Sequence, residues 1–481
     1  MSEKKMDIAK VLAMLSQNKE EPAPLEHVVR LRLEVPYITK EKKVDTRYVQ
    51  VVMPEGASQP MPLIYVPHYE MGEDSQELRD YLEKGWAVAC PAEFKNEYNK
   101  TITDDDLVFN NAALYTLRHR EEFDKNRICL VGGSAGAYMT MMLNGLQLGH
   151  CASIANGAIT NVYFNVDHYF VKANELNMKA FASLAAQKAQ EETKAESVEK
   201  EDEKAEENPA LALLKSLQAL PLPFLAALNG SFSPVANNFP KKEDPSKWEA
   251  LSPVGIADSF CSPIMMNHST SDVLVPVDQI TKKYTYEKPG DSLPEDFDAR
   301  LPKSFPGKLK YSLEECLPEY AVRTECFVVP ETDEDTVLPY DSSKQFNINI
   351  FDDGPIEGYG THSSRMGGGR RLDVPYLEEM FKKGAAETCQ LTTAMLKRLL
   401  LRYQGESIAL PACVDVDDNA YGSLAIYQKE ICEELAQWIE NHKKEAFIQI
   451  YNKMMTNETD EVVREKLSNC MQEVMNKIEM N

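Results

Sequence analysis

Four short apolar runs separated by helical stretches constrain the fold of this chain most strongly. The runs are nearly continuous in apolar residues, which suits strands buried on both faces of a parallel sheet. Strand, helix and strand in repetition are typical of an α/β sheet that is covered by helices on both sides. The runs occupy residues 62–67, 86–91, 127–132 and 151–158, and the helical stretches between them occupy 75–84, 105–123 and 135–148.

Four further strands complete the predicted sheet. Residues 27–38 and 46–53 alternate apolar and polar side chains with a period of two, which predicts an antiparallel opening pair. Strand patterns return at 262–268 and 345–351. We therefore predict an α/β fold with a mostly parallel eight-stranded sheet, whose core comprises residues 27–165 and 250–373.

The remaining segments are predicted as additions to this core. Residues 166–249 break the alternation with a charged helical stretch followed by an apolar one, and we interpret them as a helical cap insertion. Residues 281–344 lack periodicity and are interpreted as a second insertion. The pattern of 374–481 is helical, which predicts a C-terminal helical extension, and 1–26 form an N-terminal segment. The extension is expected to cover the active-site mouth, to form a homo-oligomer surface, or both.

Charge and cysteine content exclude several classes of function. With 52 basic and 76 acidic residues, the net charge is −24, which disfavours binding to nucleic acid or to an anionic membrane. Residues 1–18 lack the apolar core of a signal peptide, and no run approaches the roughly 18 apolar residues of a membrane span. Ten scattered cysteines without a CxxC pair indicate reduced thiols. We expect a cytoplasmic protein.

The most specific local signal is the sequence ICLVGGSAGA at residues 128–137, where a buried strand passes into a helix. It contains a GxSxG pattern centred on Ser134. Between a parallel strand and a helix, this pattern places a serine on a tight turn, and the flanking glycines prevent clashes there. The helix dipole then points at the reacting centre. The alternative is that the small residues only permit close packing of strand and helix.

A nucleophilic serine needs a histidine base, and His362 is the best candidate. It follows the last buried strand through the glycine-rich sequence FDDGPIEGYGTHSS. The competitor is His268, which is the last residue of the preceding strand.

The base in turn needs a carboxylate that fixes its tautomer. Asp272 lies just past the strand that ends at His268, where an acid loop is expected. Asp278 is the fallback, although it fits better in the following helix. Asp352 and Asp353 are closer to His362 but are more simply interpreted as turn residues. The chain order Ser134, Asp272, His362 is the triad order of α/β hydrolases.

From about residue 27 to 369 the chain resembles the α/β-hydrolase superfamily. It is most similar to the branch of serine exopeptidases of the prolyl oligopeptidase and X-prolyl dipeptidyl peptidase kind and their esterase relatives. The resemblance implies that Ser134 in GGSAG is the nucleophile, Asp272 in STSDVLVP the acid and His362 in YGTH the base. It implies neither a metal nor an organic cofactor.

The predicted oxyanion hole is less complete than the triad. The Ala135 N–H, which follows the nucleophile, is expected to be one donor. The loop 67–72 lacks the HGGG run of lipase-like esterases. In the peptidase and cocaine-esterase branches a tyrosine hydroxyl is the second donor, so the resemblance implies Tyr69, with packing against the sheet as the alternative. His68 is another candidate donor, and Glu70 is a candidate for binding a substrate amine.

The sequence therefore predicts a serine hydrolase that forms an acyl-enzyme on Ser134. A carboxylesterase is favoured, because the apolar stretch 211–228 would line a pocket for an acyl chain. A dipeptidyl or aminoacyl peptidase is the alternative, with an amine held by Glu70 or by the acidic residues of 331–335. A third alternative is a non-catalytic binding protein. The expected substrate is a small ester or a short peptide.

Overall fold

A single mixed sheet organises the protein. The computed structural model describes residues 24–38, 43–58, 60–68, 71–73, 75–92, 104–165, 251–270, 272, 275–283, 312–328, 340–352, 370–404 and 423–480. The sheet has nine strands in the order β1-β2-β4-β3-β5-β6-β7-β9-β8. The strands are β1 Val28–Ile38, β2 Val44–Pro54, β3 Met61–Tyr65, β4 Ala87–Ala92, β5 Phe123–Gly133, β6 Ala152–Asn156, β7 Ile264–Ser269, β8 Val322–Val328 and β9 Phe346–Asp352.

The strand directions confirm the predicted mostly parallel sheet. β1 pairs with β2 and β2 with β4 in antiparallel register, and all the other pairs are parallel. Together with a serine at the sharp turn after β5, this order is that of the α/β-hydrolase fold. Eight strands correspond to the eight expected. The ninth, β8, is an edge strand beside β9 and lies within 281–344, where the sequence predicted only an insertion.

Helices cover both faces of the sheet. The carboxyl-terminal third of the described chain is helical, as the sequence predicted. The helices are α1 Gln76–Glu83, α2 Asp104–Arg118, α3 Ala135–Leu146, α4 Arg370–Lys383, α5 Ala385–Thr388, α6 Thr393–Tyr403, α7 Ser423–His442, α8 Lys444–Asn457 and α9 Glu461–Met480, and short 3-10 helices occupy Pro253–Gly255, Ala257–Ser259, Val277–Gln279 and Leu313–Cys316.

Two apolar cores follow from this arrangement. On one face, strand side chains pack with α2 and α3 around residues such as Phe109 and Tyr138. On the other face they pack with α1 and with α4 to α9, around residues such as Tyr376 and Trp438. Because both faces of the central strands are buried, apolar side chains are required on both, which explains the continuous apolar runs in the sequence.

The later helices pack against the end of α3 that is remote from Ser134. Arg402 of α6 donates to the carbonyl of Leu146, and Gln147 donates to Glu430 of α7. α3 has twelve residues, so these contacts lie about 18 Å from its first turn. Among the described residues, these contacts of α6 and α7 with the core therefore lie at the end of α3 away from Ser134.

The chain beyond the described residues includes several predicted segments. Nearly all of the N-terminal segment 1–26, all of the cap insertion 166–249 and much of the second insertion 281–344 lie there. In the described part, no helix has the length and apolarity that crossing a membrane would require. Nine cysteines are described, and seven of them are buried thiols.

Candidate active site

The turn after β5 holds Ser134 in an unusual backbone conformation. Its φ is 55° and its ψ is −120°, a combination that a residue with a Cβ rarely adopts. The Ser134 N–H donates to the carbonyl of Asn156 at 2.8 Å, and the N–H of Tyr138 donates to the Ser134 carbonyl at 3.0 Å. The first bond ties the serine to the end of β6, and the second begins α3. The strained backbone is the geometry predicted for a nucleophile on a strand-to-helix turn.

The glycines of the motif permit this turn. A Cβ on Gly132 would lie 2.3 Å from the backbone oxygen of Gly136, which is far inside van der Waals contact. The two outer glycines of GxSxG are therefore in contact through their backbones, and no side chain fits between them. The helix that follows is buried along its whole length, which fixes the direction of its N-terminus.

A second strained residue lies on the adjacent strand end. His68 has a φ of 76° and follows β3, which is the parallel neighbour of β5. It is buried, and burial lowers its pKa, against the opposing effect of the Asp106 carboxylate. A neutral imidazole has one N–H to donate. Two non-glycine residues with positive φ at neighbouring strand ends are typical of a functional site, where strain clusters.

A buried ion pair, which was not predicted from the sequence, lies close to His68. Arg47 of β2 donates to Asp106 at 2.5 Å and to the hydroxyl of Tyr37 at 2.8 Å. Asp106 lies in the first turn of α2, where a carboxylate interacts favourably with the helix dipole. The electrostatic influence of both charges reaches His68. The pair therefore fixes charge of both signs beside the loop predicted to carry the second oxyanion donor.

Asp272 lies past the end of β7 and is completely buried. Its Oδ1 accepts from the Val275 N–H at 2.9 Å, so the loop closes on its own carboxylate. Its Oδ2 is 3.8 Å from Nε2 of His268. The ring Nε2 of His268 lies 2.6 Å from the carbonyl of Val275, and because a carbonyl only accepts, this nitrogen carries the proton. His268 therefore braces the loop that carries Asp272.

The strand order brings the predicted nucleophile and acid to one edge. Ser134 follows β5 and Asp272 follows β7, with β6 between them, so the strand ends are separated by about 10 Å. This separation is close to what an imidazole with a hydrogen bond on each side requires. The chain 353–369, which contains His362, connects the end of β9 to α4, and β9 is the neighbour of β7. β9 therefore ends at the same edge as β7, and His362 itself lies outside the described residues.

The other predicted site residues are partly outside the described chain. His362, Tyr69, Glu70, Asp353 and the acidic residues of 331–335 lie there. Ala135 is described and is the first residue of α3. Asp278, the fallback acid, lies in the short helix Val277–Gln279, which is where the sequence pattern favoured it. Asp352 is the last residue of β9.

A polar cluster that was not predicted from the sequence adjoins the turn through Asn156. Asn156 is the last residue of β6, the buried asparagines Asn267 and Asn349 lie within β7 and β9, and a buried carboxyl, Asp373, lies in the first turn of α4. The signal was present in the sequence, because Asn156, Asn267 and Asn349 each stand near the end of an otherwise apolar run. In the described part of the chain, no group of three or more histidine, cysteine or acidic side chains is arranged to hold a metal ion.

Comparison with known proteins gives only distant similarity. No family model and no curated protein matches the chain. Among solved structures, the chain is similar to Pyrococcus horikoshii acylaminoacyl peptidase, with 13% identity, a TM-score of 0.38 and coverage of 80% of this chain and 44% of that one. A puromycin hydrolase structure gives 11% identity, a TM-score of 0.38 and coverage of 76% and 41%. Oligopeptidase B from Leishmania major gives 11% identity, a TM-score of 0.37 and coverage of 73% of this chain and 37% of that one.

These neighbours are all much longer than the part that matches. The chain spans less than half the length of each of the three. The α/β-hydrolase fold is assigned from the strand order and from the turn at Ser134.

Proposed function

We propose that the protein is a serine hydrolase that cleaves an ester or amide through an acyl-enzyme on Ser134. The observation that carries the proposal is the backbone of Ser134, which is held in the left-handed region at the carboxyl end of a central strand. Such strain costs about 1–3 kcal/mol and persists where the surrounding structure demands it. A serine needed only for packing would have no reason to occupy this turn.

In the proposed reaction, His362 takes the Ser134 proton while Oγ bonds to the substrate carbonyl carbon. The tetrahedral intermediate then collapses, and the alcohol or amine leaves with the proton from His362. Water, deprotonated by His362, attacks the acyl-enzyme and releases the acid and the free serine. Asp272 accepts the other ring N–H and stabilises the imidazolium. Its buried, loop-closed position next to β9 suits that role.

The negative oxygen of the intermediate would be held by the Ala135 N–H and by a second donor from the loop after β3. Tyr69 is the donor that the family resemblance implies. His68 is the competitor, and two features support it: the depressed pKa keeps its ring neutral, and its strained backbone sits beside the β5 turn. Glu70 remains the proposed ligand of a substrate amine.

For the substrate, we propose a small carboxylic ester, with short peptides as the competing class. The support is the apolar composition of 211–228, which suits an acyl chain. The panel that tests this compares p-nitrophenyl acetate and butyrate with aminoacyl- and Xaa-Pro-anilides. We expect ester turnover to exceed anilide turnover by about tenfold or more, since ester leaving groups need less assistance. Strong anilide turnover with negligible ester turnover would assign the protein to the peptidases.

The nucleophile is tested with a fluorophosphonate probe, which reacts with activated serines. We expect the native protein to be labelled at Ser134, and Ser134→Ala to lose the label together with about 1,000-fold or more in kcat/KM. Ser343→Ala is the matched control, because Ser343 is an exposed serine on the loop before β9. It should be labelled like the native protein.

The base is tested in the same assay. His362→Gln should abolish labelling, because Ser134 would have no proton acceptor. His268→Gln should lower the thermal stability and leave labelling of the folded fraction within a few-fold of native. If the label falls on another serine, or if His268→Gln and not His362→Gln abolishes it, the proposed assignment of the nucleophile or of the base fails.

A further inference from the structure

Three asparagines form a row across the carboxyl half of the sheet. Asn156 of β6 is in register with Asn267 of β7, and Asn267 is in register with Asn349 of β9. Residues paired in register present their side chains on the same face, so the three amides lie side by side. On this face the preceding positions, such as Ile154 and Met265, belong to the apolar core under α4. We call Asn156, Asn267 and Asn349 the amide row.

The hydrogen bonds of the amide row run in one direction. Arg323 of β8 donates to Oδ1 of Asn349 at 3.0 Å. A guanidinium can only donate, so this atom of Asn349 is the oxygen, and its NH2 group is the one that faces Asn267 at 3.0 Å. Asn267 in turn donates to Oδ1 of Asn156 at 2.8 Å. Because each amide donates to the next one along the row, the NH2 group of Asn156 is the donor at the end of the row opposite Arg323.

A buried carboxyl lies at that far end. Asp373 of α4 is 1% exposed, and within the described chain neither of its oxygens has a partner at hydrogen-bonding distance and angle. Burial and the nearby Glu77 raise the pKa of Asp373 well above its usual range, and the Asn156 amide opposes them. The row therefore begins at a guanidinium on the sheet edge and ends facing a carboxyl on α4.

The Asn156 end of the row lies next to both the turn at Ser134 and the first turn of α4. The backbone carbonyl of Asn156 accepts the Ser134 N–H at 2.8 Å, and the next residue, Gly157, donates to the carbonyl of Asn267 at 2.8 Å. Asp373 lies in the first turn of α4, directly after the chain 353–369 that contains His362. The Asn156 end of the row thus lies between the turn that carries the nucleophile and the helix that follows the base.

We propose that the amide row, with Arg323 and Asp373 at its ends, positions Ser134 through the end of β6. These are positioning residues, and the proposal rests on the proposed hydrolase activity. A layer needed only for stability would be built from apolar side chains, since buried amides gain little unless every partner is present. Amides with fixed direction instead hold the end of β6 in one register and one rotamer, which a close nucleophile–base geometry requires.

The test compares Asn267→Leu with a matched control, Asn347→Leu. Asn347 is also buried, on the same face of β9, but it bonds to the backbone of Asp341 and not to the row. We expect N267L to slow fluorophosphonate labelling of folded protein by roughly 10- to 100-fold. It should also raise hydrogen exchange at the Ser134 amide by about tenfold or more. N347L should change both by less than about twofold, although it lowers the melting temperature.

A second pair of variants tests the Asp373 end without disturbing the strands. Asp373→Ala should slow labelling about as much as N267L, because it removes the buried carboxyl that lies beside the Asn156 amide. Asp373→Asn retains an uncharged group with an acceptor oxygen, so it should restore labelling to within about threefold of native. A D373A protein that is labelled at the native rate would remove Asp373 from the proposal.

The two proposals fail in different ways. If the native protein takes no label at Ser134, the hydrolase activity is refuted, while amide exchange still reports on the row. If N267L and N347L change exchange at Ser134 equally, the row has no special connection to the serine and this inference is overturned. Native-like exchange and labelling in N267L would overturn it as well.

Discussion

At the scale of single residues, the two neighbouring glycines of the motif differ sharply in what they tolerate. Gly132 faces the backbone of Gly136, whose atoms cannot rotate away, and an added Cβ would lie 2.3 Å from its oxygen. Gly133 meets only the Asn156 carbonyl, at 3.9 Å, which is an ordinary contact. The turn at Ser134 therefore requires a glycine at position 132, because no Cβ fits there. At position 133 there is space for a Cβ.

We expect Gly132→Ala to destabilise the protein by roughly 2–4 kcal/mol, because the clash forces the start of α3 away from β5. Gly133→Ala should change stability by less than about 1 kcal/mol, since an alanine loses less entropy on folding. Urea denaturation of both variants checks the difference. Equal destabilisation would mean that the 2.3 Å approach is relieved by movement of the turn.

At the scale of elements, the strands that are buried on both faces of the sheet could be predicted from the sequence. The apolar runs at 62–67, 86–91, 127–132 and 151–158 each became a strand, with ends shifted by a few residues. β8 was missed because an edge strand has a neighbour on one side only, and it carries the charged residues Arg323 and Glu325 among its apolar residues. Its pattern therefore lacks the continuity that identified the central strands.

The candidate site shows the same division between local and long-range information. Ser134 could be predicted because its glycines, strand and helix are adjacent in the sequence. The amide row could not, since which asparagine faces which depends on the register of strands more than 80 residues apart, and register is a property of the assembled sheet. The Arg47–Asp106 pair was missed because it joins a strand to a helix 59 residues later, and their contact depends on how the helix packs on the sheet.

At the scale of the whole molecule, two buried glutamates join the helical block to the core. Glu430 of α7 accepts from Asn111 of α2 and from Gln147 after α3. Glu434, one turn later, pairs with Arg118 at 3.1 Å and accepts from the Leu148 N–H. Burial is the main cause that raises the pKa of Glu430 to about 8, and it also raises that of Glu434.

A carboxyl with a raised pKa binds a proton in the folded protein at pH values where the unfolded chain has lost it. Glu430 therefore lowers the free energy of unfolding as the pH rises from the unfolded value, near 4.5, towards 8. Glu430→Gln retains the acceptor oxygen and removes the titration. We expect its stability relative to native to rise by roughly 1–3 kcal/mol between pH 5 and pH 8.

Thermal or urea unfolding at the two pH values measures this change. Glu433→Gln is the control, because Glu433 lies on the same helix, is 40% exposed, and pairs with His119 at the surface. An exposed pair of this kind contributes little to stability. A pH-dependent gain of the same size in both variants would show that the effect does not come from the buried interface.

The distance along the chain between Ser134 and α4 has a consequence for synthesis. Arg370 leaves the ribosome more than 200 residues after the serine, which is roughly 10–50 s at about 5–20 residues per second. Throughout that interval the nascent polypeptide contains Ser134 but lacks both the segment with His362 and the helix that faces Asn156. On the proposed mechanism, Ser134 can react only after His362 and α4 have been synthesised. An incomplete chain would therefore have no hydrolase activity.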